Sequence, residues 1–280
     1  MCRSARGCAT TLRHVSRYLR CPRRYRVYAK YNALRDLYIV HCTLYIMVHP
    51  ADITPLTFLD YPKKAACIFW YTGCNLRCPY CYNPELVLGK GGGMDEMAFL
   101  RERAGFLDAV VLSGGEATLN PDIEELCRQI KELGLLIKID HNGSNPDAIR
   151  NLAEQGLIDY VALDNKMPST RTWKLAGGRN LYDSFREVLK VLQTYKLPHE
   201  VRTTVHPGLL DEADILQMIR EAHAAGYRGT YYLQYFFSDG NVKTLGNLTP
   251  PTRRYDRSLL DDMSPLPIGY RNFPEDRYRN

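Results

Sequence analysis

From Cys67 onward two patterns alternate along the chain. Short apolar runs fall at residues 67–71, 109–112, 135–140, 160–163, 200–205 and 230–235. They are rich in Val, Ile, Tyr and Thr, which suit a pleated surface, and predict six strands. The stretches between them carry apolar residues every three or four positions and predict helices near 122–133, Pro146–Glu154, 182–195 and 211–225. The first is the clearest. It opens after Asn120-Pro121, closes at Gly134, and places Ile123, Leu126, Cys127, Ile130 and Leu133 on one face. Cys127 is therefore expected to be a core residue, as is Cys67 inside its strand.

Repeated strand–helix alternation implies a parallel α/β sheet with right-handed crossovers. A curved partial barrel and an open doubly wound sheet both satisfy it. The polar punctuation separates them. The segments Cys74–Cys81, Ser113–Glu116, Asp140–Ser144 and Asp164–Lys166 follow the ends of four different strands. A barrel gathers its site from many strand ends, whereas an open sheet concentrates it at one switch point. The expected fold is a partial (βα)6 TIM-like barrel over residues 47–237, with an extension of little periodicity over 238–280 that covers it or trails as a tail.

Charge alters the picture at one end only. Residues 1–46 carry ten Lys/Arg and one acid, Asp36, a local charge of +9. The remainder holds 27 basic and 30 acidic residues, so the net +6 belongs to the N-terminal segment and the body is mildly acidic at −3. Such a segment suits a nucleic-acid-binding arm, an organelle transit peptide, or sequence translated from a start set too early. The last reading, with Met47 as the true start, is preferred, because ordinary structural punctuation begins there. No run is long enough for a membrane helix. The nine cysteines show no secreted framework, so a cytoplasmic location is expected. Cys2, Cys8, Cys21 and Cys42 share no ligand spacing. Gly89-Lys90-Gly91-Gly92-Gly93 lacks the spacing of a phosphate loop.

The most specific chemistry lies in Cys74-Asn75-Leu76-Arg77-Cys78-Pro79-Tyr80-Cys81. Three thiolates spaced C-x3-C-x2-C can hold three irons of a [4Fe–4S] cube and leave the fourth open, since cubes ordinarily take four cysteines. A structural zinc site typically adds a second cysteine pair, and none is present. Ser113-Gly114-Gly115-Glu116 offers close backbone approach and acceptors for an ammonium group, or else is simply a tight strand–helix turn. Asp140, Asp164 and Lys166 at adjacent strand ends could grip a zwitterionic amino acid or form a rim ion pair. Arg202 is placed to face a carboxylate, and His206 reads as a turn residue.

The cysteine spacing resembles the signature of the radical S-adenosylmethionine (SAM) superfamily. Together with Leu56–Pro62, Tyr82-Asn83-Pro84-Glu85-Leu86, Leu112–Glu116, Asn142-Gly143-Ser144 and Arg202–Leu209, it resembles glycyl-radical-enzyme activating proteins, most nearly those of anaerobic ribonucleoside-triphosphate reductase. That resemblance implies a reduced cluster on Cys74, Cys78 and Cys81 that cleaves SAM to methionine and a 5′-deoxyadenosyl radical. The radical then takes hydrogen from a glycine of a partner enzyme, with an electron donor such as flavodoxin or ferredoxin. It further implies Tyr80 near the adenine, Gly114, Gly115 and Glu116 near the methionine amino group, and Asp140, Asp164, Lys166 and Arg202 around the rest. Ala117, His141 and Asn165 depart from the family pattern, which usually has proline, threonine and an apolar residue there. Two rivals remain: a radical SAM enzyme acting on a small molecule, and a non-catalytic zinc or nucleic-acid-binding protein.

Overall fold

The computed structural model describes residues 25–30, 39–44, 48–89, 92–175, 180–237 and 243–274. It divides into Met1–Met47 and Val48–Asn280. In the first unit β1 (Tyr25–Lys30) and β2 (Ile39–Leu44) pair antiparallel, Tyr25 opposite Leu44 and Lys30 opposite Ile39. The rest of the basic segment lies outside the described residues.

The second unit is built on an eight-stranded sheet: β3 (Asp52–Thr57), β4 (Ala66–Tyr71), β5 (Ala109–Gly114), β6 (Leu136–His141), β7 (Tyr160–Asp164), β8 (His199–Val205), β9 (Tyr231–Tyr235) and β10 (Ile268–Arg271). Spatial order follows chain order. β3 runs antiparallel along the edge of β4, and every pairing from β4 to β10 is parallel. The order never reverses, so right-handed crossovers place successive helices on one face, as in an arc of barrel rather than a doubly wound sheet. The six expected strands are β4 to β9, each within two residues of its expected bounds.

The helices are α1 (Pro84–Leu88), α2 (Glu96–Arg103), α3 (Ile123–Glu132), α4 (Pro146–Glu154), α5 (Leu181–Thr194), α6 (Glu212–Ala224) and α7 (Arg257–Met263). Local chemistry fixes their starts. Asn145 caps α4 with Pro146 at its first position, and Asp211 and Asp214 form a reciprocal capping box on α6. Between sheet and helices lies the main core, in which Val110, Leu112, Ile137, Ile139, Val161 and Leu163 meet Leu126, Ile130, Ile149, Leu152, Val188 and Leu192. Cys67 and Cys127 are buried there, and burial pushes both thiols up to about 12. Both are core residues, as expected.

Residues 238–280 depart from the expectation of little regular structure. They supply α7 and β10, and the latter extends the parallel sheet by a seventh strand. β10 has four residues, all half-buried, so it shows none of the alternation by which a strand is recognised. Tertiary contacts hold it: Phe273 is buried among Tyr235, Tyr255 and Tyr270, with ring centroids 4.9–6.4 Å apart. β3, α1 and α2 are likewise additions to the sequence reading. α2 has almost no amphipathic pattern to detect.

The concave face of the sheet is the period-two complement of the core face. At the amino ends of the strands it is apolar: Ala66, Ile68, Ala109 and Val111 with Tyr61. Toward the carboxyl ends it turns polar, with Ser113, Asp140, Asp164 and Arg202 lining a cavity.

Candidate active site at the cysteine loop

β4 ends at Tyr71, and the chain turns through Gly73, whose φ of +87° lies in the left-handed region that favours glycine. The cysteine loop follows. Its start is zipped to the loop after β5: Gly115 N–H donates to the Tyr71 carbonyl and Glu116 N–H to the Gly73 carbonyl, both at 2.9 Å. Gly114 has φ +118°, and a Cβ at Gly114 or Gly115 would collide with the backbone of Tyr71 or Gly73. The two glycines thus permit close approach, and what approaches in this structure is the root of the cysteine loop.

Further along, Cys81 N–H donates to the Cys78 carbonyl at 3.1 Å, closing the C-x2-C turn. Asn75 is held from the loop after β6: Asn142 Nδ2 donates to Asn75 Oδ1 at 2.9 Å, and Asn75 Nδ2 to Ser144 Oγ at 2.8 Å. Asn142 Nδ2 also lies 3.8 Å from Cys74 Sγ. Cys78 is buried, while Cys74 and Cys81 are half-buried. Burial raises the thiols of Cys74 and Cys78, the latter to about 11, and the Lys166 ammonium draws both down.

The donor set fits a cube. Its three thiols sit on one loop and line one cavity, as a cube that spreads three irons over three thiolates requires. The other described cysteines, Cys67 and Cys127, are buried in the core, so among the described residues a fourth iron has no thiolate.

A cavity of about 210 Å³ opens at this loop, and all eleven site residues read from the sequence line it. They are Cys74, Cys78 and Cys81; Tyr80; Gly114, Gly115 and Glu116; and Asp140, Asp164, Lys166 and Arg202. The Tyr80 hydroxyl is buried beside the Cys78 thiol with no partner of ordinary hydrogen-bond geometry.

Glu116 is nearly inaccessible, and its carboxylate accepts from Thr118 N at 3.1 Å, Thr118 Oγ1 at 2.6 Å and Asn142 N at 2.8 Å. His141 Nδ1 lies 3.0 Å from Oε1. Burial would raise this acid, but His141, Thr118 and the Asn142 N–H together hold it below its usual range. Its acceptors are therefore engaged within the chain, and the side chain braces the rim.

Arg202, Asp140, Asp164 and Lys166, all half-buried, form one network. Arg202 Nε donates to Asp164 Oδ1 at 2.6 Å, and its Nη2 lies 3.3 Å from Asp140 Oδ2. Lys166 Nζ donates to Asp164 Oδ2 at 2.5 Å. Asp140 also meets Lys138 Nζ at 3.1 Å and Ser113 Oγ at 3.0 Å. Burial opposes both carboxylates, yet Arg202 with Lys138 holds Asp140 far below the ordinary range, and Arg202 with Lys166 depresses Asp164. Burial likewise opposes the Lys166 ammonium, but Asp164 and Cys78 hold it firmly protonated.

Sequence reasoning missed Lys138, Glu200 and Arg271. Glu200 is buried and accepts both Arg271 nitrogens, at 2.9 and 2.7 Å, and Arg271 stacks 3.8 Å above the Tyr232 ring. The available signal was charge at alternate strand positions, Lys138/Asp140 and Glu200/Arg202, each pair on one face. His206 is the expected turn residue: Nδ1 accepts from Gly208 N at 3.0 Å.

A thiol-bearing loop closing the carboxyl end of a barrel arc defines the class, a cluster-binding α/β enzyme. Residues 68–222 match the family described as the Radical SAM superfamily, and the chain belongs to it. Its cofactors are a [4Fe–4S] cluster and SAM. The chain is 38% identical over 176 residues to a Methanocaldococcus jannaschii protein with the provisional name of glycyl-radical enzyme activating enzyme, covering 59% of this chain and 71% of that one. It is 28% identical over 182 residues to the pyruvate formate-lyase-activating enzyme of Clostridium pasteurianum, 60% of this chain and 73% of that one. PqqA peptide cyclase of Methylorubrum populi is 32% identical over 146 residues, 50% of this chain and 38% of that protein. Among solved structures, Streptococcus suis SuiB bound to S-adenosylmethionine superposes with a TM-score of 0.54 at 15% identity, covering 74% of this chain and 52% of that one. Among the described residues no helix is long and apolar enough to cross a membrane.

Proposed function

We propose that this protein is a radical SAM activase that generates a glycyl radical on a partner enzyme, anaerobic ribonucleoside-triphosphate reductase. The observation that carries the reading is the cavity at the cysteine loop, lined by the thiols and by the Asp140–Asp164–Lys166–Arg202 network. The similarity to the Methanocaldococcus protein supports the activase assignment. Cys74, Cys78 and Cys81 hold the cluster. When bound and reduced, the cluster supplies the electron that cleaves SAM to methionine and the 5′-deoxyadenosyl radical.

The chain's own contribution is orientation and exclusion of water. The charged network presents fixed carboxylates and cations to a zwitterionic methionine moiety. The rim backbone at Gly114 and Gly115 borders the cavity for its ammonium group, with Glu116 as a positioning residue behind it. Tyr80, which lines the same cavity, lies beside the adenine in this reading. Partner and donor are proteins in this reading, the donor a flavodoxin or ferredoxin, and the setting is the cytoplasm.

A radical SAM enzyme that modifies a peptide substrate directly is the second reading, favoured by the similarity to PqqA peptide cyclase. One anaerobic experiment separates them. The reconstituted, reduced protein is mixed with SAM and a co-encoded glycyl radical enzyme, 5′-deoxyadenosine is quantified, and the partner is inspected by electron paramagnetic resonance. The activase reading expects a carbon-centred doublet on the partner in proportion to 5′-deoxyadenosine. Product without that signal overturns it.

A further inference from the structure

Beyond β9 the chain crosses the cysteine loop. Phe236 stacks on Tyr82, the residue after the third cysteine, with centroids 5.2 Å apart and planes 8° from parallel. Phe237 N–H donates to the Tyr82 hydroxyl at 2.7 Å. Residues 244–247 then form a tight turn, closed by Asn247 N–H to the Thr244 carbonyl at 3.1 Å. The two central N–H groups of that turn point at the cysteine loop. Leu245 N–H donates to the Cys81 carbonyl at 3.1 Å and Gly246 N–H to the Pro79 carbonyl at 2.9 Å.

The turn is built for this contact. A Cβ at Gly246 would stand 2.5 Å from Pro79 Cβ and 2.7 Å from its Cα, so only glycine seats the turn this closely. Thr244 is buried, and its hydroxyl accepts from Leu248 N at 2.9 Å. Two residues further on, the Thr249 carbonyl accepts from His206 Nε2 at 2.9 Å, tying the far end to the loop after β8. Residues 244–249 are thus tied to the loop after β8 and touch the cysteine loop at Pro79 and Cys81.

We propose that the turn Thr244–Asn247 is a positioning element for the cluster, holding Cys78 and Cys81 in place through the main chain of Pro79 and Cys81 and shielding that side of the cluster from solvent. This rests on the reading of Cys74, Cys78 and Cys81 as cluster ligands. The physical reason is the poverty of the loop's own bonding. A loop that must direct three thiols at one body cannot also form regular secondary structure, so its carbonyls need donors from elsewhere. Gly246 and Leu245 supply two. The turn Thr244–Asn247 is then a part of the cluster site, although it lies far beyond the cysteines in sequence.

The test compares wild type, Gly246→Val and Thr244→Val, each reconstituted anaerobically with iron and sulfide. Iron per chain and the visible absorbance band are measured, then the decay of that band after exposure to air. Far-ultraviolet circular dichroism checks the fold. The turn proposal expects both variants to keep native dichroism and to bleach faster than wild type, about tenfold for Gly246→Val, the scale of losing buried main-chain hydrogen bonds. Thr244→Val disrupts the turn without adding bulk against Pro79, so it keeps the test valid if Gly246→Val fails to fold. Folded variants that bleach at the wild-type rate overturn the proposal. Wild type that takes up no cluster overturns the ligand reading instead, a distinguishable outcome.

Discussion

His141 Nδ1 sits 3.0 Å from Glu116 Oε1, and both side chains are buried. The pair joins the end of β6 to the loop after β5 and so fixes the rim on which the cysteine loop rests. His141 stands where the resembling family usually has threonine, and the structure gives it a definite task. Replacing it with alanine leaves a buried carboxylate short of one partner beside a new cavity. We predict that His141→Ala lowers unfolding free energy by about 2–4 kcal/mol, as measured by urea denaturation of the apo-protein. A loss under about 0.5 kcal/mol, within the range of neutral surface changes, would remove the pair from any structural role.

Arg202 serves two carboxylates at once, Nε on Asp164 and Nη2 toward Asp140. Lysine has no planar fork with which to repeat this. Arg202→Lys should therefore destabilise the fold almost as much as Arg202→Ala, which breaks a half-buried network at a cost below the roughly 3–5 kcal/mol of a fully buried pair. Thermal unfolding of the two apo-variants checks this. A lysine variant that melts with wild type would show that charge alone suffices.

The same carboxylates make acid stability predictable. Asp140 is depressed in the folded protein from an ordinary 3.8, and Asp164 is depressed as well. Between the folded and unfolded values the unfolded chain binds more protons, so stability rises with pH there. Their contribution is present above about pH 4 and is lost as the pH falls below it. The apo-protein's melting temperature should drop steeply under pH 4, and Asp140→Asn should flatten that slope. An unchanged slope in the variant would assign acid unfolding to other groups.

Cys78→Ala is expected to abolish cluster assembly, read as iron per chain and visible absorbance after anaerobic reconstitution. Cys67→Ser and Cys127→Ser should retain the iron, because both thiols are packed in the main core. Serine places a hydroxyl in that core, so these two variants should lose about 1–3 kcal/mol of stability instead. Iron loss in either core variant, with the fold intact, would contradict the three-ligand assignment.

Gly115→Ala should misplace the cysteine loop, since the added methyl would meet the Gly73 carbonyl. The expected result is a folded protein with weaker iron retention. Alanine tolerated with full iron content would mean that the Gly73 turn can yield.

Much of this site was legible in the linear sequence for a simple reason. Ligand spacing within one loop and acid–base groups at strand ends are local patterns, and a parallel sheet in chain order brings all strand ends to one rim. Cys74, Cys78, Cys81 and the carboxylates of β6 and β7 could be found without coordinates. The roles of Glu116 and the glycines were not legible. Whether a carboxylate faces a ligand or is consumed within the chain depends here on His141 and Asn142, 25 and 26 residues away in sequence. Gly114 and Gly115 likewise read as ligand-facing, while the tertiary structure shows what their missing Cβ atoms make room for.

By itself, then, the sequence determined the strands β4 to β9, the helices α3 to α6 and the spacing of the cysteine loop, because hydrophobic period and cysteine spacing are properties of short segments. Only the tertiary structure decided which buried charges compensate one another, that Arg271 of β10 neutralises Glu200, and that the turn at Gly246 closes over the cysteines. Those outcomes join residues from distant parts of the chain, where close packing and the need to satisfy every buried polar group choose the partner and local pattern carries no signal.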